Sequence, residues 1–187
     1  MKKPFLKQTT FFFLFIVLLG CAKEPSSKAS GQTVLKKYFD LKGFLENEVK
    51  RLSTKTAFTK TAFINDEREE KKVENIDLEN ELKIFSDSDI NRPAWSDKYE
   101  IDSTFQDGKL AALHYRTDDK KLKTKDLKID FKEGEVSKIQ IKNVSNTAIA
   151  NTQQSLIYEP AKGYSIESKQ DVAMIDEKVF RIEVSFK

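Results

Sequence analysis

The hydrophobic pattern changes twice along this chain of 187 residues. An unbroken apolar run at 11–19 comes first, and apolar residues then recur every three or four positions up to about residue 85. From Tyr99 onward the period shortens to two. Spacing of three and four gathers side chains on one face of a helix, whereas alternation gathers them on one face of a strand. The pattern therefore predicts a short apolar segment, then helices, and finally a sheet.

Two helices are predicted. The first covers 33–52, where the apolar residues share one face and Thr33 can cap the N-terminus. The second begins after Asp77, another good N-cap, and must end before Pro93, which cannot continue a helix. The charged segment 65–72, between these two, is interpreted as a turn or hairpin.

About seven strands are predicted after the second helix. Asp107-Gly108 and Glu133-Gly134 are strong turn signals between alternating segments. Such short connections cannot form parallel crossovers, so neighbouring strands must be antiparallel. The predicted fold class is α+β, with a curved antiparallel meander sheet of about seven strands and two N-terminal helices that cover one face. Residues 33–187 are predicted to form a single domain.

The segment 1–20 has the features of an export signal. Three lysines precede the apolar run, and the small residue Gly20 lies directly before Cys21. The run is about half of the roughly 20 residues that a bilayer-spanning helix needs. Residues 21–32 contain no large apolar side chain and are predicted to form a flexible tether.

The sequence Leu18-Leu19-Gly20-Cys21 resembles the lipobox of bacterial lipoproteins. The resemblance implies cleavage between Gly20 and Cys21, and acyl chains on Cys21 that anchor the protein to a membrane. It also implies a place in the cell envelope, which we predict to be the periplasmic or the surface leaflet of the outer membrane. The run 77–99 and the strands after it are similar to small Bacteroidota lipoproteins without an assigned activity. A helix-covered open sheet also resembles the half-barrel of outer-membrane lipoprotein-receiving proteins.

The charge balance argues against a nucleic-acid partner. Three of the 33 Lys and Arg residues precede Gly20, so 30 remain beside 30 acidic residues in the rest of the chain. Nucleic-acid binding usually needs a basic surplus. A single histidine and a single cysteine are too few for a typical zinc or copper site, and no phosphate-loop or zinc-protease motif occurs. Neither a metal nor a cofactor is therefore predicted.

Two segments with reactive side chains are interpreted as structural. The segment 87–91 resembles the first half of a calcium loop, but Arg92 and Lys98 stand where that loop needs Gly and a bidentate Glu. It is interpreted as a polar turn that ends a helix. His114 is interpreted as a surface or half-buried strand residue, because no serine lies in a nucleophile turn.

The sequence favours a non-enzymatic lipoprotein that binds an apolar ligand or an envelope partner. A structural or assembly subunit of an envelope complex is the alternative, and an unrecognised hydrolase that uses His114 is a third hypothesis. Five residues are the candidates for lining a ligand cavity: Tyr38, Phe39, Trp95, Phe105 and Leu113.

Overall fold

The computed structural model describes residues 37–54, 57–64, 67–73, 76–173 and 175–186, which belong to one compact unit. The predicted export signal, the cleavage site at Gly20, the lipidation site Cys21 and the tether lie outside the described residues.

Two α-helices, one 3-10 turn and nine strands make up the described part of the chain. In order they are α1 (Leu41–Leu52), β1 (Phe58–Ile64), β2 (Glu67–Val73), α2 (Leu78–Ser86), the 3-10 turn Pro93–Trp95, β3 (Glu100–Gln106), β4 (Lys109–Arg116), β5 (Thr124–Lys132), β6 (Glu135–Asn146), β7 (Ala150–Glu159), β8 (Gly163–Val172) and β9 (Ile175–Phe186).

All the strands form one antiparallel sheet in the order β2-β1-β9-β8-β7-β6-β5-β4-β3. The prediction of an α+β fold with an antiparallel sheet is confirmed. The predicted count of about seven strands was wrong, because the β1–β2 hairpin joins the sheet beside β9, where Phe58 pairs with Phe186. The predicted helix placement was also wrong, since the two helices do not both precede the sheet: the hairpin between them, interpreted from the sequence as a turn or hairpin, is itself part of the sheet. Six of the seven residues of β2 are charged, so the hydrophobic pattern carried no sign of that strand.

Both helices have a side-chain cap, but only one begins where the sequence indicated. The helix α2 follows Asp77, whose carboxylate accepts a hydrogen bond from the Asn80 amide at 3.1 Å. The helix α1 begins at Leu41 after the N-cap Asp40, which accepts from the Gly43 amide at 2.9 Å. The predicted cap Thr33 lies outside the described residues.

The helices pack on the same face of the sheet, here called the covered face. Tyr158 of β7 contacts α1 and Tyr164 of β8 contacts α2, and these two tyrosines are cross-strand partners. The core between the helices and the sheet is apolar, and burying each such side chain contributes about 1.5–3 kcal/mol. Its fully buried members include Leu41, Leu45, Leu82, Phe85, Leu127, Ile129, Ile139, Ile141 and Leu156.

Candidate functional site

The two edges of the sheet differ sharply in composition. The outer strand β2 carries six charged side chains, which discourage the addition of another strand. The outer strand β3 carries Ile101 and Phe105, which are 43% and 64% exposed. A strand edge with exposed apolar residues and unpaired backbone groups is a template for binding another strand. The edge formed by β3 is therefore the candidate binding surface.

The hairpin with β4 fixes the position of β3. The left-handed residues Asp107 and Gly108, with φ of 51° and 74°, form the turn. Ile101 lies on the covered face, since it pairs with the buried Tyr115. Phe105 follows at an even offset in the same strand, beyond a register shift after Thr104, and pairs with Leu110. We call Ile101, Phe105 and the outer backbone of Glu100–Gln106 the β3 edge. Within the described residues, no strand pairs with its outer side.

Side-chain contacts connect β3 to β4, and β4 to the rest of the fold. The hydroxyl of Tyr115 accepts a hydrogen bond from the backbone amide of Phe39 at 3.1 Å, which ties β4 to the chain before α1. Burial raises the pKa of Tyr115 above its ordinary value. On the face of the sheet opposite the covered face, here called the outer face, Arg116 pairs with Asp102 of β3. Glu100 and Asp102 make this strand acidic, and β3 contains no basic residue.

The structure places four of the five predicted lining residues against the core. Tyr38 is 5% exposed and lies edge-on to Tyr115 with ring centroids 5.5 Å apart. Phe39, Trp95 and Leu113 are partly buried against the same core. The described clefts of about 540, 480 and 320 Å³ are lined by other residues. Only Phe105 among the five is exposed, and it belongs to the β3 edge.

His114 is a half-buried residue of β4, as the alternation predicted. Its Nε2 lies 2.9 Å from Oδ2 of Asp126 on the neighbouring strand. Its cross-strand partners are Asp102 and Lys128. These neighbours place His114 in a charged surface ladder.

The segment 87–91, which resembles half a calcium loop, follows α2 in the chain and forms hydrogen bonds with residues at the start of α1. Asp89 accepts hydrogen bonds from the backbone amides of Asn91 at 2.7 Å and Lys42 at 3.0 Å. The Asn91 side chain accepts from the Tyr38 amide at 3.0 Å and donates to the Phe39 carbonyl at 2.8 Å. These hydrogen bonds give Asp89 and Asn91 a structural role, because they hold the segment against the start of α1. Across the described residues, no group of three or more His, Cys, Asp or Glu side chains is arranged to hold a metal ion.

Each helix is also bound to the sheet through a carboxylate and a tyrosine. Tyr158 donates to Glu48 of α1 at 2.6 Å, and Tyr164 donates to Glu81 of α2 at 2.5 Å. A cation completes each group, since Arg51 donates to Glu48 at 2.7 Å and Lys60 donates to Glu81 at 2.6 Å. Burial first, and the carboxylate second, raise the pKa of both tyrosines. We call these two groups the tyrosine anchors.

Comparisons with protein-family models, with curated proteins and with solved structures gave no significant match. None of the helices in the described ranges is both long and apolar enough to cross a bilayer.

Sequence reasoning missed the β3 edge as a site. It proposed Phe105 as a cavity residue, because alternation alone assigns a face but not a position in the sheet. The contrast between Glu67–Val73 and Glu100–Gln106 is visible in the sequence. It becomes informative only when both segments are known to be edges.

Proposed function

We propose that this chain is a membrane-tethered, non-catalytic binding module whose partner adds an extended protein segment to the β3 edge. The observation that carries the proposal is the difference between the two sheet edges. Six charged side chains on β2 discourage the addition of another strand, whereas Ile101 and Phe105 remain exposed on β3. Natural sheets usually protect both edges against unwanted pairing.

The chemistry of β3 defines the partner. Main-chain hydrogen bonds from an added strand provide affinity, and alternate side chains provide specificity. Apolar residues at alternate positions of the partner would pack on Ile101 and Phe105. Basic residues at the intervening positions would face Glu100 and Asp102 on the outer face. The favoured partner is therefore an extended segment with alternating apolar and basic residues.

The proposed lipid anchor on Cys21 supplies the location. Two or three acyl chains hold a protein stably at a membrane, whereas one chain binds only marginally. A tethered module meets other proteins of the same membrane at a raised effective concentration. We therefore place the partner among the proteins of the cell envelope, with the outer membrane as the proposed site. A stable partner would make the chain an assembly subunit of an envelope complex.

In-cell photocrosslinking tests the proposal. A photoreactive amino acid at Ile101 should capture a protein neighbour, whereas the same amino acid at Glu69 of the β2 edge should not. Phe105→Lys should abolish the captured band, because the charge cannot be buried beneath an added strand. Ile149→Lys is the matched control, since Ile149 is 69% exposed but lies outside the β3 edge.

Two outcomes would contradict the proposal. One is equal capture from β2 and β3, which would indicate random collisions. The other is a co-purified lipid without any captured protein, which would favour carriage of an apolar ligand.

A further inference from the structure

On the covered face, the side chains of β6, β7 and β8 change from apolar to polar within two residues along each strand. Ile141 and Leu156 face each other beneath the helices. Two positions further along each strand, Asn143 faces Gln154, and beyond them Ser145 faces Thr152. On β8 the row continues with Ser168 and Gln170, which pair with Gln154 and Thr152. Neutral hydrogen-bonding side chains thus continue the core face past its apolar part.

The buried member of this row is Asn143, which is 1% exposed. Its Nδ2 donates to Oγ of Ser88 at 2.9 Å, and the Ser88 hydroxyl donates its own proton to the Ile84 carbonyl at 2.8 Å. Because that hydroxyl proton is already used, Ser88 can only accept from Asn143. The hydrogen-bond network therefore fixes the orientation of the amide.

This orientation leaves Oδ1 of Asn143 as a buried acceptor. Within the described part of the chain, Oδ1 has no hydrogen-bond partner. A buried acceptor without a donor destabilises a fold by about 1–3 kcal/mol, so such atoms are usually satisfied by a bound group. Asn143 lines a cleft of about 320 Å³, and its Nδ2 is already bound to Ser88. Asn143 thus borders the cleft with one buried acceptor, Oδ1, that has no partner among the described residues.

The other lining residues define the chemistry of the cleft. They are Lys123, Ser145, Thr152 and Gln154. Together with Asn143 they supply one ammonium group, two hydroxyls and two amides, and none of the five is an acidic or aromatic residue. The volume is near the lower end of ordinary small-molecule sites, at roughly 300 Å³.

We propose that this cleft binds a small hydroxylated anion, such as a sugar acid or a sugar phosphate. Lys123 pairs with the carboxylate or phosphate, and a ligand hydroxyl donates to Oδ1 of Asn143. Ser145, Thr152 and Gln154 bond the remaining hydroxyls. The cleft lies on β6 and β7, so its occupancy is a property separate from partner binding at the β3 edge.

Calorimetric titration of the full chain with four probes tests the chemistry. Gluconate and glucose 6-phosphate carry both hydroxyls and an anionic group, whereas propionate lacks hydroxyls and methyl glucoside lacks charge. The first two should distinguish a carboxylate from a phosphate ligand. Either one should bind at least about tenfold more tightly than propionate and methyl glucoside. Equal binding of methyl glucoside, or no binding of either hydroxylated anion, would overturn the proposal.

Matched substitutions test the location. Lys123→Gln should weaken binding of the hydroxylated anion about five- to tenfold, because it removes one charge-assisted bond. Lys142→Gln removes the same charge from β6, but alternation places it on the outer face, so binding should not change. Gln154→Leu and Gln153→Leu form a second pair, with only the first facing the cleft.

These substitutions spare the buried Asn143, so the fold should survive, and circular dichroism checks this. Equal losses of binding affinity in Lys123→Gln and Lys142→Gln would show non-specific charge attraction and would contradict binding in this cleft.

Discussion

At the scale of single residues, helix propensity and the N-cap of α1 have opposite effects on a substitution of Gly43. Helix propensity alone predicts that Gly43→Ala stabilises α1 by about 1 kcal/mol. In the structure a Cβ at this position would overlap the carboxylate of Asp40, the residue that caps the helix. Displacing a cap costs about 1 kcal/mol. We therefore expect Gly43→Ala to leave the free energy of unfolding nearly unchanged.

A double-mutant cycle isolates this conflict. In the Asp40→Ala background the cap is already lost, so Gly43→Ala should now raise the free energy of unfolding by about 1 kcal/mol. Denaturant titrations of the four proteins give the coupling. Strictly additive effects would show that Asp40 and Gly43 do not interact.

At the scale of elements, the tyrosine anchors connect each helix to the sheet. Glu48 is 7% exposed and accepts bonds from both Tyr158 and Arg51. A hydrogen bond to a charged group contributes about 1.5–3 kcal/mol. Tyr158 and Tyr164 are paired across β7 and β8, so the anchors meet the sheet at one level. The helices are thereby held side by side over the same two strands.

Removing one hydroxyl should loosen one helix. Tyr158→Phe should lower the free energy of unfolding by about 1.5–3 kcal/mol and speed amide hydrogen exchange mainly in α1. Tyr164→Phe should do the same mainly in α2. Lys162→Ala serves as the control, because its ion pair with Glu159 is exposed and should contribute less than about 1 kcal/mol. Identical exchange profiles for the two tyrosine variants would count against separate anchoring.

Elements with local signals were predicted, and elements without them were not. The helix α2 was located from Asp77, because a cap and an apolar face both lie within a few residues. The strand β2 was interpreted only as part of a turn or hairpin. Its seven residues gain their place from pairing with β1. Such pairing depends on the backbone of another strand, which a hydrophobic pattern does not report.

At the scale of the whole molecule, all five tyrosines of the chain have a raised pKa, with burial as the first cause in each. The folded state therefore favours the protonated phenols. The resulting stability is fully present below the ordinary pKa of 10.0 and is lost as the pH rises above it.

An alkaline titration measures this effect. We expect the tyrosines of the folded chain to ionise at a higher pH than their ordinary pKa of 10.0, and a joint release of protons when the chain unfolds. Ultraviolet absorbance follows the phenolate, and circular dichroism follows the fold. Ionisation that proceeds before any loss of circular dichroism would show that the tyrosines are accessible.

The proposed anchor on Cys21 is also tested on the whole molecule. Cys21→Ser should leave the protein uncleaved or should release it from the membrane fraction, because each buried acyl methylene contributes about 0.8 kcal/mol to anchoring. Ala22→Ser is the control, since it changes a neighbouring residue without removing the sulfur. Fractionation and intact mass spectrometry provide the readout, and normal mass with membrane retention in Cys21→Ser would contradict lipidation.

The sequence by itself determined the α+β class, the antiparallel strands and the helix α2, because turns, caps and side-chain periodicity depend on near neighbours. Only the tertiary structure decided which strands are edges and where the polar row of the covered face lies. Ser88 and Asn143 are 55 positions apart, yet their contact orients the buried amide. The physical reason is that edge exposure and buried hydrogen bonds depend on distant segments, whose approach no local pattern records.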